Sequence, residues 1–468
     1  MYLGIDFGSS GVRGVLMDST LQVRARAALP LADGLDDPGA WLALLQPLFR
    51  ELRAQCAEGM EALRALTIDG TSGTLLLCDG LGQPLFPALL YYDQRATAEA
   101  HEIAQSWPRA GIAAEASSSL AKLLWLWRHV PAVRGAHFLH HQADWVAARL
   151  TGKLGLSDRG NLVKLGLDGQ TLRYPPPLLE LLGKRGIPAQ ILPQARREGA
   201  DLGHVRPDWA ARLGIPADTR VRAGCTDSIA AAIAAGLHEP GQALSSLGSS
   251  LAIKVASPRP VVDTAAGIYS HVLDDLYLVG AASNSGGAAL LRHFSRQEMM
   301  ALSSRLDPSQ PTGTLVYPLP GMGERFPRRA AHWPGSAPPE GPPAWRFQAL
   351  LEGVAYIEAW AYALLAEHGA PCNGAIRSLG GGVINAAWMQ MRANILNRPI
   401  AVLSDNEAAL GAALLAAAPD VGGLHQVQEW RRPEMQVITP TPAAVAAYAP
   451  YTAAFRRHFA DAGNNISS

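Results

Sequence analysis

A strand–turn–strand pattern occurs twice in the sequence. The first copy is LGIDFGSSGVRGVLMD (residues 3–18), and the second is ALSSLGSSLAIKV, which starts at Ala243. The turn residues of the first copy are Gly8, Ser9, Ser10 and Gly11, and those of the second are Gly248, Ser249 and Ser250. The two turns are about 240 positions apart in a chain of 468 residues, so the pattern predicts two similar halves with one hairpin each.

The residue types in these turns favour an anionic ligand. Glycine lets the backbone approach a ligand closely, serine supplies hydroxyl donors, and successive N–H groups form an anion-binding nest. Asp6 lies in the apolar strand before the first turn, and a carboxylate buried there needs a charge to balance it, most commonly a metal ion. The alternative for this segment alone is an ordinary hairpin with an exposed aspartate at its edge.

The bulk composition excludes several classes of function. A hydrophobic content of 48% with 17% charged residues is typical of a globular chain of two or three domains. Lys+Arg and Asp+Glu both number 40, which gives no indication of a nucleic-acid surface. The four cysteines form no C-x-x-C pair, and the first residues already read as a strand without a signal peptide. We therefore expect a cytoplasmic protein with no nucleic-acid partner and no membrane span.

Periodicity predicts the elements between the glycine turns. Apolar stripes predict helices over residues 37–52, 117–130 and 143–150, and the segment 65–79 reads as a strand pair around a Gly-Thr-Ser-Gly turn. SLGGGVINAAWMQM (residues 378–391) reads as a strand, a glycine turn and a helix start. In that segment Asn385 and Trp388 could flank a flat ring lying on the glycines, and the alternative is an ordinary turn with a core tryptophan.

The order of these motifs resembles the actin, Hsp70 and sugar-kinase superfamily, and within it the FGGY carbohydrate kinases. The motifs that carry the resemblance are GIDFGSSGVRGVLMD, SSSLAKLLWLW, AGCTDSIAAAIAAG, ASNSGGAAL, YPLPGMGERFP, SLGGGVINAAWMQM and EAALGAALLAA. The resemblance implies an α/β fold with two RNase H-like domains, which we place at residues 1–238 and 239–468, and a nucleotide cleft between them. It also implies ATP and Mg²⁺ as cofactors and a small sugar as substrate, and it makes a homodimer possible.

The resemblance also implies roles for individual residues. Asp6 would hold Mg²⁺, the serines of both hairpins would bind the β- and γ-phosphates, and Asp227 would act as the general base. Taken without the resemblance, the sequence favours the alternative that Asp227 is the N-cap of the alanine-rich helix that follows it. The remaining residues assigned to nucleotide binding are Gly286, Gly381, Gly382, Asn385 and Trp388.

The motifs IDGTSGTLLLCD, SSSLAKLLWLW and HQADW resemble ribulose and xylulose kinases most, so we expect a ketopentose substrate. The residues expected to bind it are Thr71, Ser72, Asp93, Arg95 and Asp227. A salt bridge on a loop is the alternative for Arg95, a helix cap for Asp144 and a structural role for Lys122. Arg13 is either an added charge for the phosphates or a solvated strand residue, and Asn394 stands where many relatives have aspartate.

Two other functions fit the same fold. A catalytically silent regulator that binds sugar and nucleotide would have the same motifs, although the presence of Asp6 and Asp227 argues against it. A chaperone-like or filament-forming ATPase would need a peptide-binding module or polymer surfaces, and we expect no separate peptide domain in this sequence. A kinase for another polyol or ketose also stays open.

Overall fold

The computed structural model describes residues 1–31, 34–405 and 407–460 and divides into two compact units. The first unit comprises Met1–Gly236, His271–Asp275 and Glu407–Arg432, and the second comprises Leu237–Ser270, Leu276–Asn406 and Pro433–Ser468. The predicted boundary between residues 238 and 239 lies close to the first switch between units. The sequence did not predict that two later segments, His271–Asp275 and Glu407–Arg432, belong to the first unit.

The strands are, in chain order, β1 (Tyr2–Gly8), β2 (Gly11–Met17), β3 (Val23–Pro30), β4 (Ala65–Gly70), β5 (Leu75–Cys78), β6 (Phe138–His141), β7 (Leu156–Asp158), β8 (Gln194–Arg196), β9 (Asp201–His204), β10 (Arg220–Arg222), β11 (Ala243–Leu247), β12 (Leu251–Ser257), β13 (Tyr269–Leu273), β14 (Leu276–Ser283), β15 (Ile376–Leu379), β16 (Ile400–Leu403) and β17 (Met435–Ile438).

The α-helices are α1 (Pro38–Ala43), α2 (Leu45–Gln55), α3 (Ala57–Glu61), α4 (Thr97–Ser106), α5 (Ser119–His129), α6 (Gln142–Thr151), α7 (Arg159–Leu162), α8 (Pro176–Lys184), α9 (Pro207–Leu213), α10 (Asp227–Ala234), α11 (Gly287–Leu290), α12 (Arg296–Ser303), α13 (Pro343–Glu367), α14 (Ala386–Leu396), α15 (Ala408–Ala417), α16 (Leu424–Trp430) and α17 (Pro442–Ala460).

The first unit is built on a six-stranded mixed sheet in the order β3-β2-β1-β4-β10-β9. The β1–β2 and β2–β3 pairs are antiparallel, β1–β4 and β4–β10 are parallel, and β9 closes the edge in the antiparallel sense. Strands β1 and β4 are almost entirely buried, which is expected of parallel strands covered on both faces. The carboxyl ends of β1, β4 and β10 therefore meet at one edge of this sheet.

The second unit repeats this arrangement. The six strands that lie entirely within this unit have the order β14-β12-β11-β15-β16-β17, in which β11 pairs antiparallel with β12 and parallel with β15, and β16–β17 is antiparallel. Each strand thus has a counterpart of the same direction in the first sheet, with β11 in the place of β1. This repeat confirms the prediction of two similar halves, and each half carries its Gly-Ser-Ser turn between the first two strands of its sheet.

Helix α15 belongs to the first unit because it packs directly on that unit's sheet. A Cβ at Gly4 of β1 would lie 2.0 Å from the carbonyl oxygen of Ala409, and a Cβ at Gly411 would lie 1.9 Å from that of Ala230 on α10. Side chains at these two glycines would separate the backbones, so the close approach of β1, α10 and α15 depends on them.

The 25-residue helix α13 is long and apolar enough to cross a membrane, which the short apolar runs in the sequence did not suggest. However, 78% of the most apolar 18-residue stretch of this helix is buried within the protein, as expected of a core helix. Its buried Glu358 accepts hydrogen bonds from Arg392 at 2.6 and 2.7 Å, so this helix also carries a fully paired internal charge.

Candidate active site

Three aspartates lie at or just beyond the carboxyl ends of neighbouring parallel strands of the first sheet. Asp6 and Asp69 are register partners on β1 and β4. One step further along, Gly70 forms a parallel bridge with Thr226, and Asp227 follows directly. The carboxyl edge of a parallel sheet is where α/β folds place their ligands, so this carboxylate group is the candidate catalytic centre.

Asp69 is the residue of this group that the sequence analysis missed. It is fully buried, and neither of its carboxylate oxygens accepts a hydrogen bond from a described residue. Burial raises the pKa of Asp69 well above its ordinary value, and the negative charge of Asp6 raises it further. A signal was present in the sequence, because Ile68-Asp69 before a glycine turn repeats the Ile5-Asp6 pattern.

Asp6 is nearly buried, and its partner is Arg13 on the adjacent strand. The guanidinium of Arg13 lies 3.3 Å from Asp6 Oδ2 and also donates to Ser10 Oγ at 3.1 Å. Asp6 and Arg13 face each other in the β1–β2 register. Arg13 therefore joins Asp6 to the first glycine–serine turn, and its contribution of charge to the phosphates stays a prediction.

Asp227 is the first residue of α10, and the N-cap position belongs to Thr226 instead. The carboxylate Oδ1 of Asp227 accepts a hydrogen bond from the backbone N–H of Ser228 at 2.7 Å, and the residue is half-buried. The N-cap interpretation of Asp227 is therefore wrong by one position. A carboxylate at the start of a helix remains favoured by the helix dipole, which suits a group that works in its ionised form.

The turn after β4 is held at each of its residues by the surrounding protein. Gln142 Oε1 accepts from the backbone N–H and the hydroxyl of Thr71 at 3.1 and 3.0 Å, and Thr71 Oγ1 also lies 2.6 Å from Thr74 Oγ1. Lys164 donates to the carbonyl of Ser72 at 2.9 Å. The Ser72 hydroxyl itself is buried and has no hydrogen-bond partner among the described residues. Thr71 thus serves the turn, whereas Ser72 presents an unused hydroxyl.

The two charged residues expected at the sugar site pair with each other. Asp93 accepts from the backbone and side chain of Arg95, both at 3.0 Å, and the ion pair closes to 2.8 Å. The guanidinium of Arg95 also stacks 4.9 Å from the ring centre of Trp125. Hydrogen bonds from Arg95 lower the pKa of Asp93 against the opposing effect of its burial. The salt bridge foreseen as the alternative for Arg95 is present.

Two further residues have the structural positions foreseen for them. Asp144 forms a capping box with His141 at the start of α6, which confirms the helix-cap interpretation. Lys122 is fully buried on α5 and donates to the carbonyls of Gly73 and Leu90 at 3.0 and 2.6 Å. The structural role expected of Lys122 is therefore confirmed.

The first glycine–serine turn is a tight hairpin end. Gly8 and Gly11 are paired across it, and Ser9 and Ser10 are exposed between them. Gly11 has a φ of +148°, and a Cβ there would lie 2.1 Å from the carbonyl oxygen of Leu29 on β3. Glycine is required at this position by packing, which leaves the two serines as the groups that face outward.

The second turn lies in the second unit and is tied to the start of α11. The backbone N–H of Gly287 donates to the carbonyl of Gly248 at 2.9 Å, and that of Ala288 donates to Ser249 at 3.0 Å. A Cβ at Gly286, whose φ is +147°, would lie 2.8 Å from Cα of Ser250. Gly286 therefore supports the second turn by close backbone packing, and Ser249 is the exposed residue of the turn.

The third glycine cluster also lies in the second unit. No atom of a described residue lies within 4 Å of a Cβ placed at Gly381, whereas a Cβ at Gly382 would lie 2.5 Å from the ring of Trp388. Trp388 is buried and its Nε1 donates to the carbonyl of Leu351, so its ring is part of the core. Asn385 is the N-cap of α14 and donates to Ser303. Trp388 thus has the core position named above as the alternative.

Next to Gly381, Ile384 exposes 87% of its surface, although the sequence analysis did not single it out. An apolar side chain that stays exposed beside an open glycine can cover the face of a flat ring. No signal in the sequence marked Ile384, because isoleucine in an apolar segment is most often a core residue.

Asn394, which departs from the usual family pattern, is buried and uses both ends of its amide. Its Oδ1 accepts from the backbone N–H of Thr441 at 2.9 Å, and its Nδ2 donates to the carbonyl of Pro308 at 2.9 Å. An aspartate at this position would lack the N–H donor and leave the Pro308 carbonyl without it. The amide therefore suits its surroundings here.

The described residues contain no group of three or more His, Cys, Asp or Glu side chains arranged to hold a metal ion. Mg²⁺ keeps several waters and commonly takes only one or two carboxylates from the protein, so this absence is compatible with its binding. Asp6 and its register partner Asp69 are the carboxylates that would hold such an ion.

Comparison with known proteins agrees with this geometry. The N-terminal domain of the FGGY family of carbohydrate kinases matches residues 1–234, and the C-terminal domain matches residues 243–419. Xylulose kinase from Streptomyces rubiginosus is 29% identical over 440 residues, which cover 89% of this chain and 87% of that protein. Autoinducer-2 kinase from Yersinia enterocolitica is also 29% identical, over 461 residues that cover 88% of this chain and 85% of that protein.

Among solved structures, a kinase from Brucella ovis named xyloylose kinase has a TM-score of 0.88 and 26% identity to this chain, and the match covers 98% of this chain and 99% of that one. This likeness and the family matches confirm the predicted two-domain α/β fold. The matches to both family domains together span most of the sequence, and the chain therefore belongs to the FGGY family of carbohydrate kinases, phosphotransferases that act on a sugar hydroxyl.

Proposed function

We propose that this chain transfers the γ-phosphoryl group of ATP to the terminal hydroxyl of a ketopentose, D-xylulose or D-ribulose, and releases the sugar 5-phosphate and ADP. The observation that carries the proposal is the bridge between Gly70 and Thr226. Ser72, with its unused buried hydroxyl, follows Gly70 in the same turn, and Asp227, with its carboxylate, follows Thr226 directly. The segment with the proposed sugar-binding hydroxyl and the segment with the proposed proton acceptor are thus adjacent at this bridge.

In the proposed reaction Asp227 accepts the proton of the sugar hydroxyl while that oxygen bonds to the γ-phosphorus. The bond from the γ-phosphorus to the bridging oxygen of ADP breaks in the same displacement, and the electron pair leaves with ADP. Asp227 is half-buried and hydrogen-bonded to Ser228, which supports an ionised carboxylate held in a fixed direction.

The proposal assigns sugar recognition mainly to Ser72, supported by the Asp93–Arg95 pair. Hydroxyl and carboxylate groups on rigid turns suit the recognition of a polyol because their hydrogen-bonding directions are set before the ligand arrives. Thr71 contributes by holding the turn through Gln142.

For the nucleotide, the proposal assigns the phosphates to the exposed serines of the glycine–serine turns, Ser9, Ser10 and Ser249, with Ser250, Gly8, Gly11 and Gly248 shaping those turns. The adenine ring is assigned to the open face of Gly381 beside Ile384, with Gly382 and Asn385 holding that turn and Trp388 packed behind it. Mg²⁺ would be held by Asp6, with Asp69 beside it, and would neutralise phosphate charge. Arg13 holds Asp6 in place and links it to Ser10.

A second candidate substrate is the one named in the autoinducer-2 kinase relative, because that protein is as similar to this chain as the xylulose kinase is. The same turn, base and phosphate groups would serve it. The two candidates differ in the acceptor alone, so a screen of acceptors distinguishes them.

The test is a coupled assay of ADP release with Mg-ATP and a panel of acceptors: the four ketopentoses, glycerol, gluconate and autoinducer-2. We expect stimulation by a ketopentose and a product phosphorylated at its terminal hydroxyl. Stimulation by autoinducer-2 alone would select the second candidate, and the absence of stimulation by any ketose would contradict the proposal. Ser72→Ala should raise the sugar KM by about tenfold, because one hydrogen bond to the ligand is lost.

A further inference from the structure

Lys122 connects the two loops to which the proposed function assigns the sugar. Its Nζ donates to the carbonyl of Gly73, in the turn that carries Ser72, and to the carbonyl of Leu90. The Leu90 carbonyl also accepts from the backbone N–H of Asp93 at 2.9 Å. One buried amine therefore joins the Ser72 turn to the segment that carries Asp93.

We propose that Lys122 is a positioning residue for the sugar site, whose amine fixes the Ser72 turn against the Asp93 segment and so sets the affinity for sugar without touching it. The proposal rests on the proposed function, because it assumes that these two loops bind the acceptor. Lys164 joins a different segment, the turn at Val163–Leu165, to the Ser72 carbonyl.

The number of partners matches an uncharged amine. A neutral amine has two N–H donors, and Lys122 has two carbonyl acceptors within hydrogen-bond distance. Burial lowers the pKa of Lys122 to about 7, and the charges of Lys164 and Arg95 also lower it, while Asp93 opposes them. The side chain is fully buried, so a third N–H would find no water to bond.

Protonation of Lys122 should make the affinity for sugar depend on pH. Above about pH 7 the amine is neutral and both of its donors are bonded. Below that pH a buried ammonium would lie beside Lys164 and would compete with Arg95 for Asp93. The link between the two loops should then weaken, so the sugar KM should rise as the pH falls through about 7, while the KM for ATP should change little.

The first test compares Lys122→Met with the wild-type enzyme at saturating ATP. We expect a sugar KM raised by about tenfold or more, with the KM for ATP and kcat within about threefold of wild type. Lys184→Met is the matched control, since Lys184 is an exposed lysine paired with Glu180, and its kinetics should be unchanged. An unchanged sugar KM in Lys122→Met, in a variant that melts cooperatively, would overturn the proposal.

The second test uses wild-type protein alone, so it decides the matter even if Lys122→Met does not fold. The sugar KM is measured from pH 6 to pH 8.5 at saturating ATP, and the sugar dissociation constant is measured over the same range by calorimetry without nucleotide. We expect both to rise toward low pH with a midpoint near 7; flat values would overturn the proposal. If no acceptor is phosphorylated or bound, it is the proposed function that fails, which separates the two conclusions.

Discussion

Asp6 and Asp69 are register partners on adjacent parallel strands, so two carboxylates lie side by side at the end of the first sheet. One of them has a cationic partner in Arg13, and the other has no hydrogen-bond partner among the described residues. A protein keeps such an unfavourable pair where a ligand balances it, and this is the physical reason for placing the cation there.

We predict that Asp69→Asn stabilises the protein in the absence of ligands while it reduces activity. The pKa of Asp69 is raised in the folded state, so its cost to folding is absent at pH values below its ordinary pKa and grows as the pH rises above that value. The neutral amide removes both the buried charge and the repulsion from Asp6. Thermal melts at pH 7 should show a higher melting temperature for the variant, with a smaller difference near pH 4. A lower melting temperature of the variant at pH 7 would contradict this.

Replacement of Asp227 by asparagine should lower kcat by about 10²- to 10⁴-fold, because a general base is lost while the shape of the site is kept. The KM values for sugar and ATP should stay within a few-fold of wild type. Steady-state kinetics and circular dichroism test this together. A turnover close to wild type in a folded variant would remove Asp227 from the role of base.

His140 gives a prediction for stability at low pH. It is fully buried, and burial lowers its pKa to about 4. The folded state therefore holds the imidazole neutral, and the contribution of His140 to the free energy of unfolding should be constant above about pH 6.5 and fall as the pH drops toward 4. The loss corresponds to about 3 kcal/mol for such a shift. Chemical denaturation at several pH values measures it.

The control for His140 is a pair of variants. His140→Gln should flatten the dependence on pH between 6.5 and 4, because the titrating group is gone. His137→Gln alters an exposed histidine three residues before His140 and should keep the wild-type slope. Equal slopes in all three proteins would show that His140 is not the group responsible.

Gly411→Ala should destabilise the protein by about 3 kcal/mol or more, because the new Cβ would lie 1.9 Å from the Ala230 carbonyl oxygen and the helices would have to separate. Gly183→Ala is the matched control in α8, where the part of the chain that the structure describes places no atom within 4 Å of the new Cβ. That change should leave stability unchanged or raise it by up to about 1 kcal/mol. Unfolding in urea compares the two, and a mild effect of Gly411→Ala would show that α10 and α15 have room to adjust.

The sequence predicted those parts of the fold that depend on local pattern. The helix expected over 117–130 is α5, which begins at Ser119 with Ser118 as its N-cap, and the hairpin around Gly8 and Gly11 has the expected strands. The helix expected over 37–52 is divided into α1 and α2 at Leu44. Local periodicity does not register such a break, because both pieces keep their apolar sides on the same core.

The features that the sequence did not predict depend on contacts between distant segments. The partner of Lys122 at Leu90 is 32 residues away, and that of Asp69 at Asp6 is 63 residues away. The Pro-rich stretch at 174–177 contains a helix start, because Pro176 begins α8 and proline is tolerated in the first turn of a helix. The isolation of Asp69 and the unused hydroxyl of Ser72 could be recognised only once the strand register was known.

The contact between Gly4 and Ala409 also bears on how the chain acquires its structure during synthesis. Strand β1 is among the first segments to be made, whereas the helix that covers it comes from residues 408–417. The first unit is complete only when residue 432 has been added, so β1 keeps an apolar surface uncovered until residues 407–432 have left the ribosome. A fragment ending near residue 238 should consequently aggregate when expressed alone, although it contains the complete first sheet.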